Sequence, residues 1–311
     1  MIINADTKIK VIGIGGSGSH AVSRMSKHNI RGVELIAANA DAQDLARTSC
    51  HKKIRIGKDL TRGLGTGMDP EIGRRSAEEQ REEIEEALTG ADMVFITCGL
   101  GGGCGTGGSV VAAEVARKIG ALTVAVVTTP FSFEGLNRAD IAEKGLKRLK
   151  EKVDTLISIS NDKLLSALEP KTTVSNAFWY CDEILRQAVQ GISDLIVLPG
   201  IINIDFADVK AIMKDSGTAL FGIGTAKGPE RAREAARKAL NSPLLGLSCK
   251  GAKGILFNVS GGKDISLTEI DEAAKVITEE VSSDARVIFG AIQDEKLAKG
   301  EIKVTVIATG F

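Results

Sequence analysis

The sequence lacks the features that would place the protein in a membrane, an oxidising compartment or a complex with nucleic acid. No run of roughly 18 apolar residues is present, so a membrane-spanning helix is not expected. Forty basic residues balance forty acidic ones, and no bulk charge favours nucleic acid or an anionic membrane. The five cysteines are odd in number and form no CxxC pair, a pattern typical of reduced thiols. We therefore expect a cytoplasmic protein with no nucleic-acid partner and no direct membrane insertion.

Aromatic residues are also scarce, at 4% of the chain, whereas glycine is unusually abundant at 35 of 311 residues. The usual share of glycine is about 7%. The apolar fraction of 43% is enough for a sizeable core and excludes global disorder. The length predicts about two domains, so the question is where the glycines lie.

Short apolar runs alternate with segments of helical spacing in the first half of the chain. Continuous apolar strands separated by helices predict a parallel sheet that is covered on both faces. The predicted strands are 8–14, 33–38, 52–56, 93–97, 122–128 and 156–160. The predicted helices are 19–28, one long charged helix over 70–88, 110–119 and 137–152.

A long helix over 176–197 leads to a second half of mixed character. It contains predicted helices at 205–214, 229–240 and 267–281 and predicted strands at 219–223, 254–259, 286–292 and 302–309. The last two strands have only a short connector, so we expect them to be antiparallel neighbours.

The first glycine-rich loop, Gly13-Ile14-Gly15-Gly16-Ser17-Gly18, lies between a predicted strand and a predicted helix. It satisfies GxGxxG, in which glycine lets the backbone approach a phosphate at a helix N-terminus. A tight turn can need glycine for steric reasons alone. Asp41 follows the second strand, where a dinucleotide enzyme places an acid, so a dinucleotide oxidoreductase stays open at this point.

The second loop, residues 99–109, has glycine at seven of its eleven positions and again separates a strand from a helix. So much glycine costs folding entropy at every position, which a simple turn does not require. A loop that surrounds oxygen atoms with backbone N–H groups does require it. The two loops predict a nucleotide site, and the lack of GxxxxGK[ST] disfavours the P-loop class.

The segment Gly101–Gly107 reads GGGCGTG and resembles the signature GGGTGTG of the FtsZ/tubulin GTPase family. Five further segments resemble family loops in the same order along the chain. They are 12–25, 39–43, 63–70, 130–135 with Arg138, and the segment 203–209, which resembles the family's synergy loop.

The resemblance implies a Rossmann-like, tubulin-type α/β GTPase domain with a parallel sheet, a long central helix and a smaller α+β C-terminal domain. We predict a GTP-binding domain at 1–172, a linking helix at 173–195 and a C-terminal domain at 196–311. The resemblance also implies binding of GTP and GDP. The predicted binding residues are Gly15, Gly16, Ser17, His20, Asn39, Gly67, Gly101, Gly102, Gly103, Cys104, Gly105, Thr106, Gly107, Pro130, Glu134, Arg138, Asn161, Phe178 and Asp182.

Phe178 and Asp182 also point to guanine by their own chemistry. They lie four residues apart on the long helix and so share a face. Phenylalanine can stack on a base, and a carboxylate accepts from both the N1–H and the 2-amino group of guanine. By resemblance, Glu134 and Arg138 contact the ribose and purine, and Asn161 meets the base.

Asp205 and Asp208, with Asn203, are the predicted catalytic residues. Their simple interpretation is structural, because aspartate at a helix start caps the helix and suits its dipole. The resemblance implies instead that they polarise the attacking water on GTP held by a neighbouring subunit, so that head-to-tail filaments form the active site. Mg²⁺ would bridge the β- and γ-phosphates, and a monovalent cation such as K⁺ is a further candidate. No residue is predicted to ligate a metal directly.

The predicted function is therefore a cell-division GTPase of the Z-ring type, located at mid-cell and activated by assembly. Cys104 replaces a threonine of the signature, and Ser17, Ser19 and His20 occupy positions that usually read Gly, Gly and Asn. These departures keep open a filament-forming relative that barely hydrolyses GTP. The chain ends directly after a strand, so we expect any membrane-anchor proteins to act through a tail that is absent here.

Overall fold

The computed structural model describes residues 7–166, 168, 171–242, 249, 251–282, 284–294 and 297–311. These residues form ten β-strands and eleven α-helices. They pack as two compact units, of which the first ends at Ser193 and the second begins at Asp194. The predicted mixed α/β class is confirmed.

The first unit contains six parallel strands in the order β3-β2-β1-β4-β5-β6. Their inner segments are apolar and buried on both faces, as a covered parallel sheet requires. The strands are β1 Ile9–Ile14, β2 Val33–Asn39, β3 Lys52–Arg55, β4 Met93–Gly99, β5 Leu122–Thr129 and β6 Thr155–Ser160.

Helices α1 to α8 connect these strands and close the first unit. They are α1 Gly15–Lys27, α2 Ala42–Arg47, α3 Pro70–Glu79, α4 Arg81–Leu88, α5 Gly103–Lys118, α6 Leu136–Lys150, α7 Asn161–Ser166 and α8 Val174–Val197, with a 3₁₀ turn at Ser132–Glu134. The unit boundary falls inside α8.

The prediction of one helix over 70–88 was wrong, because α3 and α4 are separate helices divided at Gln80. The backbone of Gln80 leaves helical geometry at φ −108° and ψ 25°. Its buried side-chain Oε1 accepts a hydrogen bond from the Gly57 N–H at 2.5 Å. A long-range contact thus ends a helix that the local charge pattern would continue.

Helix α5 begins at Gly103, inside the second glycine loop and seven residues before its predicted start. Its glycines allow a close approach between helices, since a Cβ at Gly107 would overlap the Pro70 carbonyl oxygen and lie 2.5 Å from the Arg74 nitrogen. A Cβ at Gly73 on α3 would overlap the Gly103 carbonyl oxygen. Some of the loop's glycines therefore serve packing.

We expect Gly107→Ala to lower the free energy of unfolding by about 1–3 kcal/mol, because overpacking forces helices α3 and α5 apart. The measurement is chemical denaturation followed by circular dichroism. Gly102→Ala is the matched control, since a Cβ at Gly102 would meet no atom within 4 Å. Equal losses in both variants would show that the contact between α3 and α5 does not determine the effect.

The second unit contains four strands in the order β7-β10-β8-β9. They are β7 Gly217–Lys227, β8 Gly254–Gly261, β9 Arg286–Gln293 and β10 Glu301–Thr309. Helices α9 Phe206–Met213, α10 Arg231–Leu240 and α11 Leu267–Glu279 complete the unit.

The prediction that the last two strands are neighbours was wrong. β10 pairs antiparallel with β7 and β8, and β9 pairs parallel with β8 through the crossover helix α11. The burial pattern gives the reason: β10 is buried along most of its length, as a central strand is, whereas β9 exposes its first half.

Candidate functional site

The strand order of the first unit reverses between β1 and β4, and both glycine loops follow these two strands. Ligands of open parallel sheets bind at such a switch point, outside the carboxyl ends of the strands. A cavity of about 720 Å³ lies there. The N-termini of α1 and α5, two helices of 13 and 16 residues, begin in its lining and supply N–H groups suited to an anion.

Most of the predicted binding residues line this one cavity. They are Gly16, Ser17, His20, Asn39, Gly67, Gly102, Gly103, Cys104, Gly105, Pro130, Glu134, Arg138, Asn161, Phe178 and Asp182. The structure thus brings together residues from six separate loops and from α8.

Four predicted binding residues, Gly15, Gly101, Thr106 and Gly107, lie outside the cavity lining. The Gly101 N–H donates to the buried Thr106 Oγ1 at 3.0 Å, a bond that fixes the second loop internally. Gly15 has φ +72°, and a Cβ there would lie 2.9 Å from the Gly105 nitrogen. The two loops therefore touch at glycines, which explains why side chains are missing at this point.

Phe178 and Asp182 line the cavity from α8, as their four-residue spacing predicts. The Phe178 ring packs edge-on against the buried Phe131, with ring centroids 5.3 Å apart. Burial raises the pKa of Asp182 to about 6, although Arg24 and His20 oppose that shift. Asn161 at the start of α7 has a buried Oδ1 with no hydrogen-bond partner among the described residues. This part of the cavity offers an aromatic face, a carboxylate and one unsatisfied amide acceptor.

Glu134 organises the loop after β5. Its carboxylate accepts from the Phe131 N–H at 2.9 Å and from the Arg138 guanidinium at 2.6 Å. The side chain of Glu134 is 12% exposed and that of Arg138 is 40% exposed. The pair is more than an ordinary helix-surface ion pair, because it also fixes the backbone at Phe131.

A chain of polar contacts crosses the cavity wall from α1 to β2. The His20 Nε2 lies 3.0 Å from Asp44 Oδ1, and Asn39 Nδ2 donates to Asp44 Oδ2 at 2.8 Å. Asp41, the acid after β2, accepts the Gln43 and Asp44 N–H groups and so caps α2. Asp44 was not predicted from the sequence, although an aspartate three residues after the N-cap Asp41 is typical of a first helical turn.

Other lining residues were missed because they are small or apolar. The cavity is also lined by Ile14, Leu64, Gly65, Thr66, Met68, Gly99, Leu100, Thr128 and Cys181. Leu64 is 88% exposed and Met68 is 38% exposed, so this loop presents apolar side chains to solvent. Leu64, Gly65 and Thr66 belong to segment 63–70, whose resemblance to a family loop could have identified them as lining residues.

Cys104 lines the cavity at the start of α5 and also packs against the core of the first unit. Burial raises the pKa of its thiol to about 11, and the nearby Asp41 and Asp44 carboxylates add to this rise. The thiol is therefore neutral at physiological pH and adds no negative charge to the cavity.

Asn203, Asp205 and Asp208 lie in the second unit, and none of them lines the cavity described above. The Asn203 Oδ1 accepts from the Gly200 N–H at 2.7 Å, while Ile201 and Ile202 pair with Ala291 of β9. Asp205 occupies the N-cap position of α9, yet its side chain makes no capping hydrogen bond. The simple capping interpretation of Asp205 therefore does not describe its carboxylate.

The Asp208 carboxylate lies in the first turn of α9, 3.9 Å from the Arg286 guanidinium, and is 45% exposed. A loosely paired, half-exposed carboxylate can accept a proton from a bound water or hold that water in place. The loop thus presents two carboxylates that are held by its backbone contacts with β9 and are not consumed by structural bonds.

Within the described ranges, no three His, Cys, Asp or Glu side chains gather where they could hold a metal ion. Asp41 and Asp44 line the cavity but are engaged by backbone N–H groups, His20 and Asn39. Mg²⁺ keeps several waters and commonly uses substrate phosphates as ligands. The donor set therefore suits a Mg²⁺ carried by the phosphates more than one held by the chain.

Among the described helices, none is long and apolar enough to cross a bilayer.

Two family models match the chain. Residues 8–169 match the model for the Tubulin/FtsZ family, GTPase domain, and residues 217–311 match the FtsZ family, C-terminal domain. A solved structure of an empty FtsZ dimer from M. jannaschii is 47% identical, with a TM-score of 0.95, covering 99% of this chain and 89% of that chain. An FtsZ W319Y mutant from M. jannaschii is 48% identical, with a TM-score of 0.94, covering 98% and 91%.

A more distant structure shares the fold alone. CetZ2 from Haloferax volcanii, in a GTPγS-bound protofilament, is 21% identical with a TM-score of 0.82, covering 97% of this chain and 92% of that chain. The family matches account for the switch-point cavity and for the second glycine loop, which a dinucleotide oxidoreductase leaves unexplained. The chain belongs to the Tubulin/FtsZ family of GTPases, and its residues 217–311 match the C-terminal domain of the FtsZ family.

Proposed function

We propose that this protein is a cell-division GTPase that polymerises head-to-tail and hydrolyses GTP at the junction between subunits. One observation carries the proposal: the described residues that line the nucleotide cavity all belong to the first unit, whereas Asp205 and Asp208 belong to the second. A subunit that offers a cavity on one unit and solvent-accessible carboxylates on the other can be completed by a copy of itself. Head-to-tail contacts of that kind form open filaments when the rotation does not close.

In this proposal, separate groups of residues bind the phosphates, the ribose and the base of GTP. The N–H groups of both glycine loops, residues 15–17 and 101–107, surround the phosphates at the N-termini of α1 and α5. Glu134 and Arg138 meet the ribose and the purine edge. Phe178 stacks on the base, while Asp182 and Asn161 accept from its donor groups. GDP occupies the same site after hydrolysis.

Mg²⁺ supplies charge neutralisation of the β- and γ-phosphates when it is bound. Asp205 and Asp208 of the neighbouring subunit position the attacking water and accept its proton, and Asn203 holds their loop through Gly200. The carboxylates would repel the phosphates at close range, so in this proposal the attacking water lies between the carboxylates and the γ-phosphate.

The proposed organisation follows from these roles. Residues 1–172 bind GTP, residues 173–195 link, and residues 196–311 carry the catalytic loop. Self-association is the primary partnership, and the protein acts in the cytoplasm at the mid-cell division site. Membrane-anchor proteins are a further class of partner in this proposal.

The proposal is tested by assembly in the presence of GTP or GDP with Mg²⁺. We expect sedimentable filaments, visible by electron microscopy, with GTP, and their loss as GTP is converted to GDP. Buffer without nucleotide is the control. Monomeric protein at every concentration with bound GTP would contradict filament formation while leaving nucleotide binding intact.

Cys104 and the altered first loop raise the alternative of a relative that barely hydrolyses GTP. We expect Cys104→Thr to change the affinity for GTP by no more than about threefold, because backbone N–H groups supply most phosphate contacts. Isothermal titration with GTP measures this. A change of about a hundredfold would show that the side chain, and not the backbone, dominates phosphate binding.

A further inference from the structure

A second, smaller cavity of about 400 Å³ adjoins the nucleotide cavity and shares His20, Phe178 and Asp182 with it. Its other lining residues include Arg24 and Lys27 of α1 and Trp179 of α8. None of these three was assigned a role above. Asp182 therefore borders both cavities, and the cationic side chains of α1 line the cavity on the side away from the proposed base site.

Arg24 is held against Asp182 by its surroundings. Its Nη2 lies 3.6 Å from Asp182 Oδ2, and its Cζ lies 4.6 Å from the centroid of the Trp179 ring. The two charged side chains are only 19% and 13% exposed. A guanidinium over an indole ring keeps a defined position, since the aromatic face attracts the cation and restricts its movement.

The protonation state of Asp182 determines which purine the site can recognise. An ionised carboxylate only accepts hydrogen bonds, which matches the two donors of guanine, the N1–H and the 2-amino group. A protonated carboxyl donates once and accepts once. That pattern matches adenine, which offers the N1 acceptor and the 6-amino donor on the same edge.

Burial pushes Asp182 toward the protonated form, because desolvation disfavours a charge. The cationic groups that face Asp182 are Arg24 and His20, both on α1. The acids nearby are Asp44, which is paired with His20, and Glu134, which is paired with Arg138. His20 exerts the larger charge effect that opposes burial, followed by Arg24, which acts through both its charge and a hydrogen bond to Asp182. His20 is 62% exposed and engaged by Asp44, so Arg24 is the permanently charged cation in direct contact with Asp182.

We propose that Arg24, held over the Trp179 ring, is a specificity-determining residue that keeps the Asp182 carboxylate ionised and thereby keeps the base site selective for guanine over adenine. Arg24 positions charge without touching the nucleotide. This role rests on the proposed function of Asp182 in base recognition.

The test measures the binding of GTP and ATP to the intact protein from about pH 5.5 to about pH 8.5, by competition with a fluorescent GTP analogue. In the unmodified protein the affinity for GTP is full above the pKa of Asp182, about 6, and falls as the pH drops through that value. In Arg24→Gln the pKa of Asp182 rises, since an opposite charge is lost. The midpoint of the affinity loss should then move up by about 1–2 pH units.

At pH 7 the ratio of GTP affinity to ATP affinity should fall about tenfold or more in Arg24→Gln and recover toward pH 8.5. Arg24→Lys should restore much of the ratio. Lys27→Gln is the matched control, because it removes a charge from the same helix and the same cavity without a contact to Asp182. Its pH profile should match that of the unmodified protein.

Asp182→Asn separates this inference from the function on which it rests. The amide presents an NH₂ donor group and a carbonyl acceptor in place of two acceptor oxygens, so GTP binding should be weak and independent of pH in this range. Unchanged GTP binding by Asp182→Asn would overturn the base site itself. With that control intact, an Arg24→Gln defect of equal size at every pH, or an equal shift in Lys27→Gln, would overturn the role of Arg24 alone.

Discussion

Replacing Asp208 by alanine is expected to slow GTP hydrolysis by about 10²–10⁴-fold while leaving GTP binding unchanged, because general-base groups contribute rate of this size. Asp208 is half-exposed, loosely paired with Arg286 and absent from the nucleotide cavity. Phosphate release at saturating GTP measures the rate, and equilibrium titration measures binding. Asp271→Ala, which removes an exposed carboxylate paired with Lys275 on α11, is the control and should hydrolyse normally.

The same variant tests whether the aspartate acts on a neighbour. The Asp208→Ala protein retains its nucleotide cavity but has a defective catalytic loop. The Asp182→Ala protein retains its catalytic loop but has a defective nucleotide cavity. Mixing the two inactive proteins should restore hydrolysis at the junctions where an intact loop meets a loaded cavity. A mixture that sediments together but releases no phosphate would show that each loop serves its own subunit.

Removal of the Asp182 carboxylate has the second large expected effect. Asp182→Ala should weaken GTP binding by about a hundredfold or more, because two hydrogen bonds to a charged acceptor are lost. The variant should also lose the preference for GTP over ITP, which lacks the 2-amino group that Asp182 accepts from. Competition binding with both nucleotides gives the two values.

Asp140→Ala is the control for this experiment, since Asp140 is an exposed carboxylate paired with Lys144 and lies outside the nucleotide cavity. It should retain the affinity and the preference of the unmodified protein. An Asp182→Ala protein that binds GTP more weakly but still prefers it over ITP would assign recognition of the 2-amino group to another residue, with Asn161 the first to examine.

The strands and the two glycine loops could be predicted because their signals are local. Continuous apolar runs mark buried parallel strands, and glycine between a strand and a helix marks a close backbone approach. The ends of β1 and β4 therefore lie where the sequence indicates. The shared helix face of Phe178 and Asp182 could be predicted for the same reason, since residues four apart on a helix lie on one face.

The features that the sequence did not reveal depend on distant contacts. Gln80 ends α3 because its side chain reaches Gly57, which no local pattern records. β10 lies inside its sheet because it pairs with both β7 and β8, and β8 separates it from β9, so a short connector does not imply neighbouring strands. The contacts of Asp44 with His20 and of Arg24 with Asp182 depend on how α1 packs beside α2 and α8, which no local pattern records.

The sequence also could not distinguish the glycines that line the cavity from those that allow close helix packing. Gly102 faces open space at the cavity, whereas Gly107 lies against α3. Both belong to one signature, and composition alone treats them alike. Substitutions at these two positions should therefore separate binding from stability.

Completion of the active site by a second subunit is tested most directly by the rate of phosphate release per molecule as a function of protein concentration. The rate should be near zero below a threshold concentration and rise above it together with sedimentable polymer, with Asp208→Ala inactive at every concentration. A rate per molecule that stays constant through the threshold, in protein that hydrolyses GTP as a monomer, would contradict a shared active site.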